Sequence, residues 1–206
     1  MRAMVIASTV ALGGLTLYGC GIGPDYVTNG EANYVLLMTG INQGVPLRSD
    51  VRPACPDSVA LRLENHSKNP AVADTAGFRG DMVVERYEVR YFRSDGRSTQ
   101  GVHVPYTITG NVAQEVRSSQ AETLSLEVVR AQAKLEPPLS NLARTGGQVD
   151  VVGAPGVITM FAEVTLHARM TTGQTTNSVS ARLQIDFGDY GSFNDGVDPQ
   201  ATTCDQ

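Results

Sequence analysis

The chain has 206 residues, 41% of them hydrophobic, 18% charged and 6% aromatic, with 21 Gly, 10 Pro and no Trp, a balance suited to one compact domain and unlike a disordered tail. A formal net charge of -5, with 16 basic residues scattered among 21 acidic ones, leaves no dense Lys/Arg cluster to neutralise a phosphate backbone, so nucleic acid is excluded as an expected partner. The apolar stretch over residues 5–18 is broken by Ser8, Thr9, Gly13, Gly14 and Thr16 and falls short of the ~20 apolar residues of a spanning helix, which excludes a polytopic membrane protein.

The N-terminus has the order of a secretory signal, with Arg2 as its positive region, a weakly apolar core and small residues before a processing point. That point, Leu17-Tyr18-Gly19-Cys20, resembles the lipobox of bacterial lipoproteins, in which a Leu three before the Cys and a small residue just before it fit the lipoprotein signal peptidase. Leu17, Gly19 and Cys20 match, whereas Tyr18 stands where the family usually has a small or β-branched residue. The resemblance implies a cleaved signal over 1–19, a diacylglycerol on the thiol of Cys20, and a commonly acylated amine on the same residue. More than one acyl chain makes such an anchor stable, each buried CH₂ contributing about 0.8 kcal/mol. Gly21 after the Cys, in place of an Asp, leans towards an outer membrane. Residues 20–33 are polar and rich in Gly, Asp and Asn, which predicts a tether, with a β-sandwich domain over 34–206.

Period-two alternation dominates that domain. Candidate strands run through Tyr34 to Met38, Val59 to Leu63, Tyr87 to Tyr91, Val102 to Ile108, Leu124 to Val128 and, more weakly, residues 148–152. Asp95-Gly96 supplies a hairpin turn, and Pro105 marks an edge or bulge. A brief helical turn is expected over 138–144. The clearest strand has Ile158, Met160, Ala162, Val164, Leu166, Ala168 and Met170 on one face, and its expected antiparallel partner carries Val179, Ala181, Leu183, Ile185 and Phe187. Seven or eight antiparallel strands with regular turn signals predict an all-β, immunoglobulin-like sandwich, an architectural resemblance without the Cys and Trp hallmarks of true immunoglobulin domains. Seven Tyr, five Phe and no Trp furnish the aromatic girdles of a transmembrane barrel poorly.

With Cys20 assigned to lipid, Cys55 and Cys204 remain, an even pair in an exported chain, and are expected to form a disulfide closing a loop of about 150 residues, the alternative being two unpaired thiols. No CxxC, HExxH, GxSxG, P-loop or GxGxxG is present, so no catalytic residue, cofactor or metal ligand is assigned. His66 lies in a polar, turn-like segment, and His103 and His167 lie on strand faces opposite apolar neighbours, where solvated histidines are ordinary. The segment 186–198 holds Asp186, Asp189, Asp195, Asp198 and Asn194 among glycines. These are Ca²⁺-type oxygens, but at a spacing that fails the EF-hand, and Asp and Asn also serve turns. The expectation is a non-catalytic interaction or assembly module of the cell envelope, engaging another envelope protein through loops or a sheet edge near residues 95–110. The alternative is a lipoprotein that binds Ca²⁺ or a small molecule.

Overall fold

The structure, a computed structural model, describes residues 34–52, 54–68, 80–143, 156–171 and 176–190. Their eight strands are β1 (Tyr34–Ile41), β2 (Leu47–Asp50), β3 (Asp57–Ser67), β4 (Met82–Arg93), β5 (Ile108–Val116), β6 (Ala121–Val129), β7 (Ile158–Met170) and β8 (Thr176–Gly188). A one-turn helix α1 (Ala131–Lys134) and a 3-10 turn (Leu139–Leu142) lie between β6 and β7. One sheet has the order β1-β3-β6, the other β2-β8-β7-β4-β5.

Alternation in the sequence becomes the division between inside and outside. On β7, Met160, Ala162, Val164, Leu166, Ala168 and Met170 are buried, while Glu163, Thr165, His167 and Arg169 face outward. The strand pairs antiparallel with β8 from Ile158 opposite Phe187 to Arg169 opposite Thr176, as expected from its pattern. Leu61 and Leu63 of the small sheet and Val84, Val89 and Ile185 of the large one join a single apolar core. Each such side chain contributes about 1.5–3 kcal/mol relative to exposure.

Four expectations need correction. The strand expected over Val102 to Ile108 is a loop: the Thr99 carbonyl accepts the amides of Val102, His103 and Val104, the Gly101 amide donates to the Val104 carbonyl, and Pro105 has no amide to offer a ladder. The strand begins where this loop ends, at Ile108, and continues to Val116. The second correction is that the pairing is not wholly antiparallel, since β2 runs parallel to β8, Leu47 opposite Ile185 through Asp50 opposite Gly188. Asn42, Gln43 and Gly44 have φ of 46°, 55° and 77°, and this left-handed turn moves the chain from one sheet to the other without reversing it. Third, His66 is in a strand, because β3 runs on to Ser67, and fourth, His103 is in a turn instead of on a strand face. The candidate strand at 148–152, Cys20, Cys204 and residues 191–198 lie outside the described residues.

The strands have two unlike ends. β1 starts opposite the last residue of β3, and the same entry end holds the starts of β4 and β8 and the close of β5 and β7. There, the Asn65 amide donates to the carbonyls of Gly80 (2.7 Å) and Val116 (3.1 Å), and Asp81 accepts the Ser118 amide at 2.9 Å. The opposite, loop end collects the close of β2, the β4–β5 loop, α1 and the start of β7. The large apolar side chains exposed among the described residues, Val45, Val102, Tyr106, Leu135, Val157 and Phe161, all lie towards this loop end.

Candidate functional site

The β4–β5 connection begins with a tight turn: Gly96 has φ 82°, its amide donates to the Arg93 carbonyl, and the Asp95 carboxylate accepts the Arg97 amide. That backbone bond, helped by Arg93, holds the Asp95 carboxyl below its usual range. Beyond it, residues 99–107 fold on themselves. Gln100 Nε2 donates to Thr107 Oγ1 at 2.9 Å and closes the loop across its base. Gly101, at φ 71°, gives the Tyr106 hydroxyl room to pack against it. Val104 and Ile108 point into the core, whereas Val102 and Tyr106 stay 59% and 61% exposed. The four apolar residues that suggested one strand face are therefore split between core and solvent, Val104 and Ile108 inward, Val102 and Tyr106 outward.

β5 follows directly and pairs only with β4 among the described residues, forming one edge of the large sheet. Ile108 and Val116 are buried at its two ends, and its sole charged residue is Glu115. An edge strand without Lys or Pro is open to pairing with another chain. Arg130 partly guards it by donating to the Thr109 carbonyl at 3.2 Å.

A second feature of the loop end is a cleft of about 660 Å³ on the outer side of the large sheet, with the β1–β2 turn (Val45, Pro46) on one wall and Arg93 and Ser94 on the other. Its floor is the cross-strand pair Phe92 and Phe161 with Arg182 and Gln184. The Arg182 guanidinium lies 5.9 Å from the Phe92 ring centre and donates through Nε to Glu163 at 3.2 Å. Sequence reasoning missed this cleft, although a signal exists: Phe161 is an aromatic residue in the otherwise polar outward row of β7.

A buried ionic cluster stands behind these surfaces. Lys134 of α1, 2% exposed, reaches both carboxylate oxygens of Asp57 at 3.0 Å, and Ser49 of β2 donates to Asp57 Oδ2 at 2.6 Å. Burial raises the Asp57 pKa, and Lys134 and Ser49 pull against that rise. One carboxylate thus joins β2 of the large sheet, β3 of the small sheet and the β6–β7 crossover. Ser49 and Lys134 are buried and Asp57 is half-buried, and this hydroxyl, ammonium and carboxylate satisfy one another.

The sequence-derived candidates do not converge. Cys55 is buried and is not a free titrating thiol. His66 is exposed and contacts Glu64 at 2.9 Å, which lowers the Glu64 pKa. His103 and His167 lie on different elements. Asp186 accepts from Thr159 (2.7 Å) and Gln184, and the Tyr190 hydroxyl donates to the Asp186 carbonyl at 3.0 Å. Among the described residues no three His, Cys, Asp or Glu side chains gather as a metal site. No protein-family model and no curated protein matches the chain.

Proposed function

We propose that the chain is a lipid-anchored bacterial envelope protein whose immunoglobulin-like β-sandwich is a non-catalytic interaction module for another envelope protein. The observation that carries this reading is the closed loop 99–107, which holds Val102 and Tyr106 in solvent beside β5, an edge of the large sheet among the described residues. A loop already held in shape loses little entropy on binding, and an open edge offers backbone groups for strand addition. The lipobox-like Leu17-Tyr18-Gly19-Cys20 would place a membrane anchor fourteen residues before Tyr34, at the entry end of the strands. Gly21 favours the outer membrane as the address. In this reading Cys55 pairs with Cys204 in the oxidising compartment.

Photo-cross-linkers at Thr99, His103 and Thr107 in cells test the interface, with the exposed Ser125 of β6 as control position. Capture of one envelope protein at the loop positions and not at Ser125 is expected; equal capture at all four, or none, rejects the surface. Palmitate labelling lost in Cys20→Ser tests the anchor, and mass spectrometry of unreduced peptides tests the bridge.

A ligand-binding reading is favoured by one observation, the aromatic-floored cleft, which suits a small molecule better than a metal ion.

A further inference from the structure

We propose that the cleft beside Phe92 and Phe161 binds a small amphipathic carboxylate, its anionic group on Arg182 and its apolar body on the two rings. This inference does not depend on the protein–protein interface above. A cleft of about 660 Å³ has the size of a drug-like ligand site, for which roughly 300–1,000 Å³ is usual. Its chemistry is one-sided: among the lining residues two are arginines and none is acidic, in a chain whose net charge is -5.

The two arginines differ in what they can still do. Arg93 grips Asp95 through both Nε and Nη2, so it shapes the wall. Arg182 engages Glu163 through Nε alone, and its terminal amino groups make no hydrogen bond among the described residues, which leaves a pair of donors in the planar arrangement that a carboxylate accepts. The neighbouring acids are already occupied. Glu163 is held by Arg182, Asp95 by Arg93 and Arg97, and Asp186 by Thr159 and Gln184. A ligand carboxylate at the free side of Arg182 therefore meets donors without an opposing unpaired carboxylate in the lining. Below it, Phe161 is 36% exposed and Val45 across the cleft is 59% exposed, so a flat apolar body laid between them removes apolar surface from water. Charge selects the head group and the aromatic floor selects the body.

The test uses the full chain in phosphatidylcholine nanodiscs, with empty nanodiscs as background, and equilibrium dialysis of 2-naphthoate against its neutral analogue 2-naphthalenemethanol. Saturable binding of naphthoate is expected, with the neutral alcohol about tenfold weaker, the scale of one lost charge-assisted contact. Arg182→Gln should erase the preference for the anion, Phe161→Ser should weaken both compounds, and Arg169→Gln, outside the cleft lining, should change neither. Thermal melts of each variant separate lost binding from lost folding. No saturable naphthoate binding, equal affinity for acid and alcohol in the unaltered chain, or a preference surviving Arg182→Gln in a folded variant overturns the proposal.

Discussion

Tyr34 and Tyr106 each pack on a glycine, to opposite effect. Tyr34, at the entry end, is buried with its ring across Gly80, where a Cβ would collide with three ring atoms. Tyr106, at the loop end, touches Gly101 only through its hydroxyl edge and leaves most of its ring in water. The same pair of residue types seals a gap between sheets in one place and presents an aromatic surface in the other. The difference lies in the neighbours: Asn65, Asp81 and Val116 close around the first pair, whereas the second sits on a loop held by its own hydrogen bonds. Exposed apolar surface at the loop end is therefore built on a tightly bonded frame.

The severest way to break this contrast is to remove the frame under the loop end. Lys134→Met leaves the Asp57 carboxylate buried without its cation and should destabilise the fold by about 3–5 kcal/mol in urea unfolding at pH 7. The pH dependence sharpens the assignment. Asp57 has a folded pKa above its unfolded value, so its contribution to stability is complete below the unfolded pKa and is lost as pH rises through the folded one. Removing Lys134 takes away a lowering influence and moves the folded pKa higher, so the deficit of Lys134→Met should shrink between pH 7 and pH 5. A deficit independent of pH would mean that Asp57 is not the strained partner.

At the entry end, Gly80→Ala forces the Tyr34 ring aside, and Asn65→Leu strips donors from the Gly80 and Val116 carbonyls. Overpacking and an unsatisfied buried acceptor each cost roughly 1–3 kcal/mol, measurable by thermal or urea unfolding. Neither substitution should alter cross-linking yield at His103 while the chain remains folded. Gly101→Ala should be milder, about 1 kcal/mol from a left-handed φ alone, but it displaces Tyr106 and should lower cross-linking at Thr107.

The smallest effect on stability carries the most functional weight. Val102→Ser with Tyr106→Ser should change unfolding free energy by no more than about 0.5 kcal/mol for each residue, as expected of exposed positions, yet abolish capture of a partner at Thr99 and Thr107. A large loss of stability from this pair would show that the loop packs as core and does not present a surface.

Legibility followed how much of an element's environment its own residues encode. β7 was readable to the residue, and β8 in all but its first three residues, because both strands are long and half-buried, and a period of two is then imposed by the fold itself. β2 was not readable: four residues, Leu47 to Asp50, include a buried Ser and a buried Asp, a pattern that makes sense only once Ser49 meets Asp57 and Lys134 from distant parts of the chain. β5 was shifted because an edge strand buries little beyond Ile108 and Val116, so its middle carries a weak apolar signal, while the loop before it alternates convincingly for a different reason.

By themselves, then, the residues determined an all-β chain, its principal strands, the Asp95-Gly96 turn and the absence of a familiar catalytic motif, because alternation and turn chemistry act over a few neighbours. Only the tertiary structure decided that β2 runs parallel to β8 and that Lys134 is buried on Asp57. It also decided that Phe92, Phe161 and Arg182 form one cleft and that the exposed apolar side chains gather towards one end of the strands. Each of these joins residues tens of positions apart, and such contacts are chosen by the packing of two whole sheets, a quantity no short stretch of chain contains.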